Sequence, residues 1–195
     1  MNATKQRDAV AQQAKADSRA ALKAAREITD PWYRAQALAH VLRYCEDHPI
    51  PIANEAADSA ACCPDPYKRT AVRAWEIAAL AERSEANTRL KAVMKRIAEV
   101  TPSSSRSEAL LLLLHASSRI SGDAATTVAE AIVRTSNADS HWRCQRAVVD
   151  AIGVLHYIRP KSAMTLSYQI LDAKLKSKSE QRIAAGGSLL RDFFC

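Results

Sequence analysis

The side chains in this 195-residue chain best suited to chemistry are its five cysteines, its five histidines and a spaced series of arginines. Cys45-x-x-His48 and His141-x-x-Cys144 together offer a Cys2His2 set, the donors of a structural zinc site. In the helical parse given below, the two pairs sit at helix ends three units apart. At about 8–10 Å per packed layer that gap exceeds about 20 Å, too far for one ion to join them. No metal or other cofactor is therefore expected. Cys62 and Cys63 are adjacent, so on a helix they point in different directions. With Cys45, Cys144 and Cys195 they make an odd set without framework spacing, which reads as reduced thiols. No HExxH, GxSxG or paired-carboxylate motif is present, and four glycines furnish neither a GxGxxG nor a Walker loop. His115 follows the run Leu110 to Leu114 and reads as a helix-edge or core histidine. The expectation leans against an enzyme.

The arginines are more informative because they recur. Asp30-Pro31-Trp32-Tyr33-Arg34 returns as Asp65-Pro66-Tyr67-Lys68-Arg69, and more loosely as Asp139-Ser140-His141-Trp142-Arg143. The step from Arg34 to Arg69 is 35 residues, and a step of 37 from there falls on Arg106 and again on Arg143. A weaker fifth copy ends at Arg182. Equivalent positions of stacked units share one side of the stack. These guanidiniums therefore either pair with turn aspartates and helix-end carbonyls or line an anion-binding stripe. The aromatics beside them either fill space between units or present hot spots and base-stacking platforms. The candidate binding surface is Trp32, Tyr33, Arg34, Tyr67, Arg69, Arg106, His141, Trp142 and Arg143. Trp75, in mid-helix, reads as core.

The elements that position these residues follow from composition. Of 195 residues 38 are Ala, only 4 are Gly and 5% are aromatic. That mixture favours helices and excludes β-sandwiches, barrels and propellers. Ten helices in five hairpins are predicted over roughly 17–29/31–47, 51–63/65–83, 86–100/103–120, 123–135/139–157 and 161–175/178–194. Residues 1–16 either extend the first helix or fray. Counting from each Arg, positions +1, +5 and +8 form an apolar or small stripe: Ala35, Ala39, Leu42; Thr70, Ala74, Ile77; Ser107, Leu111, Leu114; Cys144, Val148, Ala151. The seven prolines fall between helices, with Asp30 and Asp65 as N-caps before Pro at N1. Gly186-Gly187 falls inside the last predicted helix, as a kink or a close backbone approach. Leu189, Leu190, Phe193 and Phe194 beyond it either close the final layer or form a docking or dimer surface.

The run Asp-Pro-x-x-Arg-x-x-Ala-Leu at Asp30 to Leu38 resembles the turn and second helix of HEAT-like repeats. The period is also near that of tetratricopeptide repeats, but the Trp-Leu-Gly-Tyr elements of that family are missing. The HEAT-like pattern is clearest at 30–38 and 65–74 and departs at Ser103 and Ser140. The resemblance implies an all-α superhelical solenoid, a single domain over 1–195, with Asp and Arg ladders between units. The repeat, the missing catalytic motifs and the mixed aromatic and Arg positions point to a non-enzymatic scaffold that binds a protein or peptide along a concave face. The alternative is a nucleic-acid binder, since HEAT-like DNA glycosylases grip a duplex with basic helical solenoids. The net charge of +7 is spread along the chain, without a basic block. The longest aliphatic run, Ala109 to Leu114, is far short of the ~20 residues of a membrane helix, and the first residues are polar. A cytoplasmic protein is expected.

Overall fold

The computed structural model describes residues 2–194, and every regular element among them is helical. The first sixteen residues correct the expectation. α1 (Ala3–Ala16) is a helix of its own, capped by Asn2, and it buries Val10 and Ala14. Asp17, in an extended conformation, ends it, and the same side chain caps α2 (Ser18–Arg26) by accepting from the amide of Ala20. One residue both breaks and restarts the helix, because an Asx side chain satisfies the amides that the break exposes.

The caps read from the sequence set the next starts. Asp30 accepts from the amides of Trp32 and Tyr33 at the head of α3 (Pro31–Tyr44). Asp65 does the same for Lys68 in α5 (Pro66–Ala71). α4 (Pro49–Ala61) begins earlier than predicted, with Pro49 at its first position and His48 left-handed at φ 51° before it. The helix predicted over 65–83 is interrupted at Val72 and resumes as α6 (Arg73–Ala79). There the amide of Trp75 donates to the Val72 carbonyl, a tighter turn than α-helical. α7 (Glu85–Lys95) and a short 3-10 turn (Ile97–Glu99) precede α8 (Ser103–Ser117). Then come α9 (Gly122–Ala138), α10 (Trp142–Ile158) and α11 (Pro160–Ser167). Last is α12 (Ala173–Ala184), capped by Asp172.

The packing order is simple. α1, α3, α6, α8, α10 and α12 form a row in which each helix packs on the next. α2, α4, α7, α9 and α11 lie against members of this row, each beside its chain neighbours. The stripe at +1, +5 and +8 is the buried seam: all twelve positions are buried except Leu111, which is half-buried. Three of these seam residues, Ala39, Ala74 and Ala151, are alanines with no exposure. Small side chains allow the helix axes to approach closely. One contiguous apolar core runs from Val10 to Phe194, with a small second cluster of Ala35, Ala60, Cys63 and Val72 under Trp32.

The last helix is the main departure. α12 starts at Ala173, five residues before the predicted start, because the Asp172 carboxylate accepts from the Leu175 amide. It ends at Ala184, where Gly186 and Gly187 take φ of 91° and 85°. Only glycine adopts such a pair at little cost, so these glycines terminate the helix and reverse the chain. Residues 185–194 form a non-helical return segment. They neither close the final layer nor stand free.

Candidate functional site

The return segment runs back along the row. The Ser188 amide donates to the Gly153 carbonyl of α10 at 3.0 Å. The Arg191 amide donates to Nδ1 of His115 on α8 at 3.2 Å, and Arg119 on the same helix donates to the Arg191 carbonyl at 3.3 Å. Phe193 packs edge-on to Trp75 of α6, ring centroids 5.1 Å apart, and Phe194 packs edge-on to His40 of α3 at 5.2 Å. The segment thus crosses α10, α8, α6 and α3 in turn. The reach agrees with its length: an extended chain covers at most about 3.5 Å per residue, so seven residues span about 25 Å. That is three interhelix spacings of about 8–10 Å.

Each crossing depends on a particular side chain. At α10 the crossing needs two glycines. A Cβ on Gly187 would lie 2.6 Å from the Gly153 carbonyl oxygen, and one on Gly153 would collide with the Ser188 hydroxyl. At α8, His115 is the acceptor. Burial, with Arg191 and Arg119 nearby, pushes its pKa down to about 4, so the ring is neutral and Nδ1 keeps a lone pair for the Arg191 amide. At α6, Trp75 lies between two partners, the Phe193 ring and the Arg191 guanidinium, which stands 5.3 Å from the indole centroid. At α3, burial and then Arg7 lower the pKa of His40 to about 4, and its Nδ1 has no hydrogen-bond partner. Arg119 also pairs with Asp192 at 3.5 Å, and the Asp192 carboxylate accepts from the Phe194 amide. Both Phe rings are buried, whereas Leu189 is 81% exposed.

The nine residues singled out from the sequence do not form one surface. Arg69 donates to the carbonyls of Cys63 and Pro64, and Arg106 to those of Val100 and Ala98. Both guanidiniums thus satisfy orphan carbonyls at the end of the preceding helix. Arg34 donates to the Ser59 hydroxyl of α4. Trp32 and Tyr67 stack at 6.4 Å, and Trp32 meets Trp75 edge-on at 6.0 Å. Tyr33 packs half-buried against the core. His141, Trp142 and Arg143 lie elsewhere, exposed at the head of α10. There the Arg143 and Arg146 guanidiniums stand 5.4 and 5.3 Å from the Trp142 ring, and His141 stacks beside it.

No group of three or more His, Cys, Asp or Glu that could hold a metal occurs among the described residues. Cys144 is buried while His141 faces solvent, and Cys45 donates its thiol to the Asp47 carbonyl. Burial pushes the Cys63 thiol up to about 11, which keeps it protonated. Cys195 lies outside the described residues. No helix among these residues is long and apolar enough to cross a membrane.

Two groups escaped the sequence reading. Glu76 is buried in α6 and accepts from Arg73 and from Arg89 of α7, each at 2.5 Å. Arg89 also holds the Asn54 side chain of α4. The other is the face under the return segment, His40–Trp75–His115–Gly153, one residue from each of α3, α6, α8 and α10; His40 and Trp75 both stand six residues after their repeat arginines, whereas His115 and Gly153 stand nine and ten after theirs. The chain matches none of the protein-family models, curated proteins or solved structures with which it was compared.

Proposed function

We propose that this chain is a non-enzymatic repeat scaffold that binds an extended peptide along the face bearing Gly153, His115, Trp75 and His40. A single observation carries the reading: the face already holds an extended segment, the chain's own. It holds that segment as peptide-binding grooves do, with hydrogen bonds for the main chain and apolar sites for the Phe193 and Phe194 side chains. Buried aromatic anchors in a desolvated setting supply most of the affinity in such contacts. The test is fluorescence polarisation with a labelled peptide of residues 187–194. The binding partner is the full chain carrying Phe193→Ala and Phe194→Ala, which weakens its own segment. Saturable binding, lost when both phenylalanines of the peptide become alanine, is expected. Absence of saturation with a folded variant up to millimolar peptide would reject the reading.

A second reading rests on Trp142. It is 57% exposed with two guanidiniums near its ring, and an exposed indole beside cations is the kind of group on which a nucleobase stacks. In this reading a single-stranded oligonucleotide binds near the head of α10, more weakly as salt rises, and Trp142→Ala abolishes the binding. A flat salt dependence removes it.

A further inference from the structure

We propose that the return segment is a displaceable stand-in for an outside peptide of the same kind, one whose adjacent aromatic pair is followed by acidic residues. The inference rests on the peptide-groove reading above and names the partner and the competition.

Displaceability follows from how the segment is held. It leaves α12 through two left-handed glycines, and no other group lies within 4 Å of where a Gly186 side chain would stand. It is not part of any helix, and its Leu189, Arg191 and Asp192 are exposed. Its hold consists of two Phe rings, two backbone amides given to Gly153 and His115, and the contacts of Arg119 and Arg191. The Phe rings and the half-buried Leu190 pack on the main core from its edge, and none of these contacts joins one helix to another. The segment can therefore lift without unpacking a helix pair.

The chemistry of the partner follows from what lies beside the segment. A cavity of about 520 Å3 opens between α1 and Phe194. Arg7 and Lys15 of α1 line it, with Gln12 and His40, and Arg7 also donates to the Gln36 side chain. Asp8 partly offsets these cations and pairs with Arg7 at 2.7 Å. Arg191 and Asp192 of the return segment line its other side. Those two charges offset each other, whether they belong to the segment or to a peptide that replaces it, so α1 presents two cations against one carboxylate. Phe194 lines this cavity, so a residue that follows an aromatic pair seated at the Phe193 and Phe194 positions is within its reach. Carboxylates there meet Arg7 and Lys15, whereas lysines meet like charge.

The segment competes at the high effective concentration of an attached ligand, in the millimolar range for a short flexible link. Against an outside peptide of tens of micromolar affinity, this lowers apparent binding by about 10–100-fold. Two labelled peptides test the proposal: residues 188–194 followed by Glu-Glu, and the same followed by Lys-Lys. Each is titrated at low salt into the wild-type chain, Gly187→Ala and Phe193→Ala/Phe194→Ala, with helicity checked by circular dichroism. Gly187→Ala leaves every groove side chain in place and disturbs only the crossing. Both variants are expected to bind the Glu-Glu peptide at least tenfold more tightly than wild type, and severalfold more tightly than the Lys-Lys peptide. Equal affinity in wild type and both variants would overturn the competition while leaving the groove reading intact. Equal affinity for the two peptides would overturn the acidic partner. Helical variants that bind neither peptide would overturn the groove reading and this inference together.

Discussion

Gly187 crosses α10 directly over Gly153, close enough that a methyl group on Gly187 would stand 2.6 Å from the Gly153 carbonyl oxygen. That oxygen accepts the next amide of the segment, from Ser188. Two backbones meet here without an intervening side chain.

Gly187→Ala should therefore release the segment. A left-handed alanine costs about 1–2 kcal/mol even before the collision. A loss of that size multiplies the open population by about 5–30. Trypsin cleavage after Arg191 should accelerate by a similar factor, and tryptophan emission should shift to the red as Trp75 is uncovered. An unchanged cleavage rate would mean that the crossing tolerates a methyl.

Phe193 and Leu189 of the return segment should matter unequally to stability. Phe→Ala costs about 3–5 kcal/mol in closed cores. A segment that can move aside recovers part of that, so about 2–3 kcal/mol is expected for Phe193→Ala in urea denaturation. Leu189→Ala, at an 81% exposed position, should stay within about 0.5 kcal/mol.

Stability should fall on mild acidification. His40 and His115 have pKa values lowered to about 4 by burial, against 6.5 when free. The unfolded chain then takes up protons first, so stability decreases as pH drops from about 6.5 towards 4 and levels off below. Each ring should contribute on the order of 1–3 kcal/mol, since both keep some contact with solvent. Protonated His115 also cannot accept the Arg191 amide. His115→Gln keeps a neutral side chain at all pH values and should remove its share of the slope, read from denaturation midpoints between pH 4 and 7.

Glu76→Gln should be costly although the residue takes no part in holding the return segment. The carboxylate is buried between Arg73 and Arg89, and breaking such a pair leaves uncompensated charge, about 3–5 kcal/mol. A urea midpoint unchanged within error would show that water compensates the two guanidiniums.

The helices were legible because their signals are local. Asp30, Asp65 and the prolines mark starts by the hydrogen bonds and torsions they impose on the next few residues. The +1, +5, +8 stripe marks the seam by periodicity alone, and burial follows it. The arginine spacing was legible as a pattern. Its destinations were not, because whether Arg69 meets a ligand or the Cys63 carbonyl depends on how the preceding helix ends. Asp172 and Asp17 are caps of the same type as Asp30, but without a following proline they drew no notice. Gly186-Gly187 was visible as an anomaly. Its meaning depended on Gly153, 33 residues earlier, and no short-range signal links the two. Glu76 looks like any helix-surface acid until α7 brings Arg89 beside it.

The return segment also changes how the molecule should come apart. In a row where each helix touches only its neighbours, either end can fray without the other. Contacts in such a row are close in sequence, which favours fast, stepwise assembly. The segment joins α12 to α3 and reaches the edge of α1, linking parts that no helix-to-helix contact joins. With it docked, the two ends should exchange their amide hydrogens as one cooperative unit. With it lifted, they should exchange independently, so the same motion that opens the groove would divide one unfolding transition into several.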